Sequence, residues 1–304
     1  MVGPHDQGRD FIGYGQDVPR VFWPGGARVA VSLVIGYEEG AEYSYSAGDR
    51  RAEAQAEIQY PKDVADFDFA TESVFQYGSR AGIWRMFRLL DEFELRCTML
   101  GCAVAYELNP AVGRHVQAAG HEPACHGWRW ENLYALSREE EQEHLTRAVD
   151  SIEHTCGERP RGWYSRTLPS RHTRELLVEE GGFVYDSDAF DDDLPYFVEV
   201  KGERHLIVPY TMVHNDSRFL PGQGYSDPFS FFDHCQRAYD YLWDEGATRP
   251  RMMSVGLHAR WAGQPARASA LKQFIEHALD KGDVWFARRI DIADWWIAHH
   301  EEFS

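Results

Sequence analysis

The sequence predicts an α/β fold in one domain, with a mostly parallel sheet closed into a barrel. Two observations support this prediction. Short apolar runs that are typical of buried strands alternate with helical patterns along the 304 residues. No Ser/Pro-rich linker, repeat or low-complexity tract interrupts the alternation, and 43% of the residues are hydrophobic. A chain of this length and composition can bury a substantial core.

Runs of apolar and β-branched residues predict buried strands, because a strand of a parallel sheet is covered on both faces. The predicted strands are residues 28–35, 96–104, 206–210, 252–257 and 284–287. Apolar residues at helical spacing predict helices over residues 81–93, 137–156, 173–180, 229–245 and 266–279. Ser137 and Glu140 have the spacing of a capping box at the start of one of them. The polar segment 49–69 predicts an irregular excursion over the surface.

Charge and cysteine content exclude several classes of function. Lys and Arg number 31 against 49 Asp and Glu, a formal net charge of −18. A protein with this much negative charge repels phosphate backbones and anionic membranes. We therefore expect neither nucleic acid nor a membrane as a partner. The five cysteines are odd in number and lack CxxC spacing, which indicates neither a zinc knuckle nor a disulfide framework. Without an apolar leader pattern or a stretch of bilayer length, we expect a cytoplasmic protein.

Candidate catalytic residues follow the predicted strands, where ligands bind in parallel α/β folds. Glu38 and Glu39 come after the first strand, His126 after a short run ending at Cys125, and His258 after the strand 252–257. A hydrolytic site needs a carboxylate that takes a proton from water and an imidazole that gives one to the leaving nitrogen. The sequence contains no G-x-S-x-G elbow, dinucleotide fingerprint or P-loop motif that would indicate other chemistry.

Six segments in order resemble the polysaccharide deacetylase family, and especially its cytoplasmic branch of metal-independent allantoinases and cyclic imide hydrolases. The segments are GYEEG, YGSRAGIWR, ACHGWRW, GWYSRT, VYDSDAFDDDLPY and SVGLHARWAGQPAR. The resemblance covers about residues 9–296, within a single catalytic domain of residues 1–304. It implies a distorted (β/α) barrel of about seven strands, and a homo-oligomer, by resemblance a tetramer.

The resemblance also implies a departure from the metal-using deacetylases. Their first Asp is the base, and their second Asp and two His hold the metal; these positions correspond here to Glu38, Glu39, His126 and Trp130. An indole N–H is only a donor and cannot bind a metal. The remaining pair, Glu39 and His126, falls short of the three protein ligands of a catalytic zinc. We therefore expect no metal and no other cofactor, with zinc as the alternative.

The resemblance implies ring-opening hydrolysis of a cyclic amide such as allantoin, hydantoin or a cyclic imide. Either Glu38 or Glu39 then activates water, His258 protonates the ring nitrogen, and His126 with Arg166 stabilises the oxyanion. Three kinds of residue are expected to contact the substrate: aromatic rings that form flat walls, the residue at the position where the family's third motif has an Arg, and polar residues that follow later strands. They are Trp128, Trp130, Tyr164, Asp192, Asp193, Asn215, Asp216 and Arg260. Asp192 or Asp193 is also expected to orient His258.

Two other functions remain open at this point. One is a metal-dependent N-deacetylase of a sugar or a peptidoglycan fragment, which Trp130 disfavours because it replaces a ligand. The other is an inactive barrel that binds a carbohydrate or a protein, although a binding module has no need of both an acid and a base. The small-molecule hydrolase is the leading interpretation.

Overall fold

The computed structural model describes residues 9–58, 66–166, 168–225 and 227–303. Its strands are β1 Val29–Tyr37, β2 Thr98–Gly101, β3 Glu122–Cys125, β4 Gly162–Trp163, β5 Tyr185–Asp186, β6 Tyr196–Val200, β7 Glu203–Ile207, β8 Arg251–His258 and β9 Val284–Phe286. Its helices are α1 Phe69–Tyr77, α2 Ile83–Glu92, α3 Ala103–Leu108, α4 Pro110–Ala119, α5 Arg138–Cys156, α6 Thr173–Glu180, α7 Pro228–Glu245, α8 Ala259–Ala262, α9 Pro265–Lys281 and α10 Arg289–His299.

The strands of the described ranges form one sheet in the order β6-β7-β5-β4-β3-β2-β1-β8, and β9 pairs with the first three residues of β1. Strands β6 and β7 form an antiparallel hairpin, whereas β7, β5, β4, β3, β2, β1 and β8 are parallel to their neighbours. These seven strands confirm the predicted α/β barrel. Their carboxyl ends share one rim, which is where the candidate residues lie.

Strand β1 is the centre of the fold. All nine of its residues are buried, because β2, β8 and β9 flank it and helices cover the sheet. Its sequence VAVSLVIGY is the near-continuous apolar run that a parallel strand requires. The large core cluster packs the alternate residues Val29, Val31, Leu33 and Ile35 against the helices.

The barrel is closed between β7 and β8 by irregular chain that makes one isolated parallel bridge, between Asn215 and Gly256. Residues 208–215 cross from β7 to β8, where Gly256 N donates to His214 O at 2.8 Å. Arg289, which is fully buried, secures this crossing: its guanidinium donates to Ser254 Oγ at 2.7 Å and to Pro209 O at 2.8 Å. A buried guanidinium is tolerated when its donors are paired in this way.

The structure confirms the predicted helices over 137–156, 173–180, 229–245 and 266–279 and the strands at 28–35, 252–257 and 284–287 within a few residues. It corrects two strands. The predicted strand 96–104 ends at Gly101 because α3 begins at Ala103, and the predicted strand 206–210 lies earlier, at Glu203–Ile207. The predicted helix 81–93 begins as a π-helical turn at Gly78–Gly82.

The irregular segment predicted at 49–69 lies partly outside the described residues, at 59–65. Its described parts have no helix or strand before Phe69, where α1 begins. Of the helices in the described ranges, none combines the length and the apolarity that crossing a bilayer requires.

Candidate active site

The strand register aligns the candidate residues at the carboxyl rim. Across β1 to β4 it pairs Tyr37, Gly101, Cys125 and Trp163. Glu38, His126 and Tyr164 each follow one of these positions, so they leave the sheet at the same level. On the other side of β1, Gly36 pairs with His258. Glu38, His126 and His258 therefore converge although they are far apart in the sequence.

Glu38 lies at the centre of this group, with 1% of its side chain exposed. Its Oε1 is 3.3 Å from His126 Nε2 and 3.5 Å from His258 Nε2, and its Oε2 is 2.7 Å from Arg260 Nη1. Burial by itself would raise the pKa of this carboxyl. The positive charge of Arg260, assisted by His258, outweighs burial and holds the pKa of Glu38 well below its usual range. Glu38 is therefore an anion at any physiological pH.

A small pocket of about 50 Å³ opens over Glu38. Its walls combine acid–base groups, aromatic rings and neutral polar side chains, and they comprise Gly36, Glu38, Gln55, Leu100, His126, Trp130, Tyr164, Tyr210, Met212, Asn215, Ser217 and His258. A pocket of this kind suits a compact, flat and polar ligand.

His258 is oriented by Asp216. The ring Nδ1 lies 2.6 Å from Asp216 Oδ1, and Asp216 Oδ2 accepts hydrogen bonds from the backbone N–H groups of His258 and Ala262. Nδ1 therefore carries the proton that binds the carboxylate, and Nε2 faces Glu38. With 12% of its side chain exposed, His258 can exchange a proton with a ligand in the pocket.

His126 is held in one tautomer by its two neighbours. Its Nδ1 lies 2.6 Å from the carbonyl oxygen of Tyr164, so Nδ1 is the protonated nitrogen. The indole Nε1–H of Trp130 donates to His126 Nε2 at 3.1 Å. Because an indole nitrogen is only a donor, it directs its hydrogen at the Nε2 lone pair. The ring of Tyr164 stacks on the imidazole with 5.3 Å between centroids.

Comparison with known proteins supports one family. A family model described as polysaccharide deacetylase matches residues 71–177. A polysaccharide deacetylase homologue of Schizosaccharomyces pombe (strain 972 / ATCC 24843) is 34% identical over 315 residues, which cover 96% of this chain and 98% of the relative. The chain belongs to the polysaccharide deacetylase family.

Two solved structures are more similar than this relative. The crystal structure of PuuE allantoinase is 43% identical, covers 97% of this chain and 99% of its own, and superposes with a TM-score of 0.93. A polysaccharide deacetylase homologue of Pseudomonas aeruginosa PAO1 is also 43% identical, covers 96% of this chain and 98% of its own, and has a TM-score of 0.91. The chain is accordingly a hydrolase of the deacetylase and allantoinase-like family.

Glu39, the second carboxyl of the pair in this deacetylase-family chain, points away from the pocket. Its Oε2 accepts the backbone N–H of Glu38 at 2.8 Å, and its Oε1 lies 3.8 Å from Arg260 Nη1. Burial, reinforced by the neighbouring charge of Glu38, raises the pKa of Glu39 to about 8 although Arg260 opposes this. Of the two glutamates, Glu38 is the one that lines the pocket.

Arg260 contacts Glu38 rather than substrate, which corrects its expected binding role. Its side chain has no exposed surface and lies among three rings, with its guanidinium carbon 4.1 Å from the centre of Trp261 and 4.3 Å from that of Phe75. The third ring is that of Trp130, at 5.2 Å. A cation enclosed in this way compensates the buried charge of Glu38.

The expected pair of oxyanion donors is wrong, because both ring nitrogens of His126 are engaged, by Tyr164 O and by the Trp130 N–H. Nor does Arg166 have the geometry of an oxyanion donor. Its Nη1 donates to the carbonyl oxygen of Trp130 at 2.6 Å, and its Nη2 pairs with Glu53 Oε1 at 2.7 Å. It is absent from the pocket walls and stacks on the outer face of Trp130, 3.9 Å from the ring centre. The structure therefore corrects Arg166 to a residue that braces Trp130 and the segment around Glu53.

The two tryptophans expected as walls differ in position. Trp130 lines the pocket together with Tyr164, whereas Trp128 packs against the main core and is covered by the guanidinium of Arg147 at 4.0 Å. Trp128 is thus corrected to a half-buried residue that packs on the core outside the pocket. Asn215 lines the pocket, but its Oδ1 accepts from Ser217 N at 2.9 Å, which caps the short helical turn carrying Asp216.

Asp192 and Asp193 do not orient His258. They line a separate cavity of about 370 Å³ beside the first half of β8, which shares Tyr210 and Met212 with the small pocket. Asp192 Oδ1 accepts from Leu194 N at 3.0 Å. The orienting carboxylate is Asp216, which the sequence placed among the substrate contacts; its burial corrects that role.

Six residues of the pocket wall were not predicted as site residues from the sequence: Gly36, Gln55, Leu100, Tyr210, Met212 and Ser217. Tyr210 is the last residue of the predicted strand 206–210 and Met212 lies two residues beyond it, so the end of that strand and the residues after it would have shown them. Gln55 lies in the irregular segment, where no periodicity marks which side chain turns inward.

The donor set does not fit the metal ion of the metal-using deacetylases. In the part of the chain that the structure describes, no group of three or more His, Cys, Asp or Glu side chains is arranged to hold a metal. Of the two residues left at the ligand positions, His126 has its Nε2 lone pair directed at the Trp130 N–H, and Glu39 is directed away from the pocket. A catalytic zinc normally keeps three protein ligands.

Proposed function

We propose that this chain is a metal-independent amidohydrolase that opens a cyclic amide ring such as allantoin, hydantoin or a cyclic imide. One arrangement carries the proposal. On one side Glu38 faces His258, which is paired with Asp216 and can act as an acid. On the other side it faces His126, whose Nε2 lone pair accepts a hydrogen bond from the Trp130 N–H and so is not free to bind a metal. The likeness to PuuE allantoinase supports the same class of substrate.

In the proposed reaction, Glu38 accepts a proton from the attacking water. The water oxygen bonds to the ring carbonyl carbon, and the C–N bond of the resulting tetrahedral intermediate then breaks. His258 donates the proton on Nε2 to the departing nitrogen while Nδ1–H stays on Asp216. The 3.5 Å between Glu38 Oε1 and His258 Nε2 lets the proton taken from water pass to His258 and reset the site. Acid–base steps of this type accelerate hydrolysis by about 10²–10⁴-fold each.

Ring substrates suit a site without a Lewis acid. In a hydantoin or imide ring, a second nitrogen or carbonyl makes the reacting carbonyl more electrophilic than that of an open amide, so less polarisation is needed. The small pocket with Trp130 and Tyr164 in its walls also suits a flat ring better than an extended oligosaccharide.

A metal-dependent N-deacetylase is the second candidate, because the family model that matches residues 71–177 is that of the polysaccharide deacetylases. It predicts turnover of N-acetylated sugar oligomers that requires added metal. The catalytically inactive barrel predicts turnover of neither substrate class.

A substrate panel separates these functions. The purified protein is assayed in a chelating buffer against allantoin, hydantoin, dihydrouracil, succinimide and N-acetylglucosamine oligomers. We expect ring opening that Glu38→Gln lowers by about 100-fold or more, since this substitution removes the proton acceptor. Glu143→Gln, an exposed position on α5, is the matched control and leaves the rate unchanged. Deacetylation of the sugars alone, or full activity of Glu38→Gln, contradicts the proposal.

The assembly and location of the protein also stay predictions from the family resemblance. We expect a homotetramer, which sedimentation of the purified chain tests, and a cytoplasmic enzyme.

A further inference from the structure

Gln55 lies in the pocket wall although it comes from an irregular segment. The chain runs from the carboxyl end of β1 to Gln55 without a further strand. The side chain of Gln55 lines the same pocket as Glu38, His126 and His258. We propose that Gln55 determines specificity by binding the cis –NH–CO– edge of a ring substrate. This inference rests on the ring-opening function proposed above and names the chemical group by which the substrate is selected.

The side chain of Gln55 is available for a ligand. Within residues 9–58, 66–166, 168–225 and 227–303, its carboxamide forms no hydrogen bond. Three other polar side chains of the pocket are already engaged: Asn215 with Ser217 N, His258 with Asp216, and His126 with Trp130. The carboxamide of Gln55 is half-buried and faces the pocket without a hydrogen-bond partner. A ligand that covered it without forming hydrogen bonds would bury an unpaired polar group at a cost in free energy. A ligand that forms those hydrogen bonds is therefore favoured.

The backbone that carries Gln55 is held in place by a buried ion pair. Gln55 N donates to Glu53 Oε1 at 2.8 Å, and the same oxygen accepts from Arg166 Nη2 at 2.7 Å. Arg166 and Glu53 are 6% and 1% exposed at their side chains. An ion pair this well buried orders its neighbours, so Gln55 is positioned before substrate binds.

Two further ion pairs hold the segment on either side of Glu53. Asp49 accepts two hydrogen bonds from Arg129, at 3.0 and 2.6 Å, and Glu57 pairs with Arg267. Three arginines of the barrel therefore bind three carboxylates of the segment. This arrangement explains why an irregular stretch can present a side chain to the pocket with a defined position.

A carboxamide distinguishes a cis amide from a trans amide by geometry. Its oxygen accepts one hydrogen bond and its nitrogen donates, and both groups point the same way. A ring amide presents its N–H and its carbonyl on one edge, so it can form both hydrogen bonds with Gln55 at once. The trans amide of an open chain presents these groups on opposite edges and can form one. Gln55 therefore favours cyclic amides, and the bound edge is the ring N–H with the carbonyl that is not attacked.

The test compares Gln55→Met, which keeps the length of the side chain and removes both hydrogen-bonding groups, with Gln142→Met at an exposed position on α5. Both variants are assayed with allantoin, hydantoin and succinimide, and with the fully N-methylated rings 1,3-dimethylhydantoin and N-methylsuccinimide. For each ring that the wild type opens, we expect Gln55→Met to lower kcat/KM by roughly 10- to 100-fold, the effect of two neutral hydrogen bonds. The wild type prefers the N–H ring to its N-methyl derivative, and Gln55→Met loses that preference.

The outcomes separate this inference from the function on which it rests. If the wild type opens a ring and Gln55→Met matches Gln142→Met in kcat/KM and in its N–H preference, the assignment of Gln55 is overturned while ring opening stands. If the wild type opens none of the rings, both are overturned. A loss confined to the N–H rings, with an unchanged thermal transition, supports the assignment, because a merely structural role would lower activity on N-methyl rings equally.

Discussion

Glu38 combines two properties that rarely occur together: an almost completely buried side chain and a negative charge in the free enzyme. The charge is tolerated because the guanidinium of Arg260 lies against it on the far side and His258 faces it from the pocket. Arg260 is itself held among aromatic rings and cannot move towards solvent. The pocket thus presents a carboxylate whose orientation is defined before substrate binds.

Asp216→Asn tests the orientation of His258. The two backbone N–H groups that Asp216 Oδ2 accepts would keep the amide oxygen of asparagine on their side, so its NH2 group would face His258 Nδ1. The ring then cannot donate from Nδ1, and it loses both its defined tautomer and its anionic partner. We expect kcat to fall by about 10²–10⁴-fold. KM should change little, because Asp216 is buried and is not part of the pocket wall. Steady-state kinetics measure both constants, with Asp150→Asn on the exposed face of α5 as the control. A raised KM with unchanged kcat would show that Asp216 binds substrate instead.

The π-helical turn Gly78–Gly82, between helices α1 and α2, determines how closely these helices pack against Glu39. A Cβ on Gly78 would lie 2.2 Å from Glu39 Oε1, and a Cβ on Gly82 would lie 2.1 Å from the backbone oxygen of Ala259. Both glycines therefore allow helices to approach the rim more closely than any other residue would. This close approach encloses Glu39 and Arg260.

Gly78→Ala tests that fit. Replacing glycine by alanine in a helical conformation ordinarily stabilises a protein by about 0.4–1 kcal/mol. Here we expect the opposite sign, a loss of roughly 1–3 kcal/mol in the free energy of unfolding, because the new methyl group overlaps the Glu39 carboxyl. Urea denaturation measures the change. Combining Gly78→Ala with Glu39→Ala should remove most of the loss; an equal loss in both backgrounds would place the strain elsewhere.

Elements with strong local signals were predictable from the sequence, and others were not. The capping box at Ser137 and the glycine at 181 define the ends of α5 and α6 because these signals act within one turn. Strands β4 and β5 are two residues each, too short for any apolar pattern, and they exist because their neighbours in the sheet pair with them. Helix α10 was missed although Arg289 at its start closes the barrel.

At the scale of the whole molecule, buried carboxyls make stability depend on pH. Burial raises the pKa of Glu39 to about 8 and of Glu42 and Asp188 to about 7, from ordinary values near 4. At a pH between the ordinary pKa of a carboxyl and its raised pKa in the fold, the folded chain keeps a proton that the unfolded chain has released. Because stability falls with pH wherever the folded state binds more protons, the free energy of unfolding should decline from about pH 5 to about pH 8.

Glu39→Gln tests this linkage, since glutamine resembles the protonated carboxyl and does not titrate. We expect the variant to lose less stability than the wild type between about pH 5 and about pH 9, with the largest difference at the alkaline end. Urea titrations at several pH values measure it, with Glu143→Gln as the exposed control. Parallel curves for the wild type and Glu39→Gln would contradict the raised pKa of Glu39.

The sequence predicted the site residues that directly follow strands. It did not predict the roles that depend on which side chains meet across the barrel. Glu38, His126 and His258 follow buried runs, and the parallel register alone brings them together. The roles of Asp216, Arg260 and Arg166 depend on which partner each meets in three dimensions, and a sequence does not show partners. Gln55 belongs to a segment that is positioned by three ion pairs rather than by periodicity.

We propose that Glu38 and His258 open a ring without a metal ion. The most direct test is the kcat of the wild-type protein on its best ring substrate before and after dialysis against dipicolinate, with metal content measured on the same sample. We expect an unchanged kcat at substoichiometric metal. Activity that disappears on chelation and returns with added Zn²⁺ would contradict it.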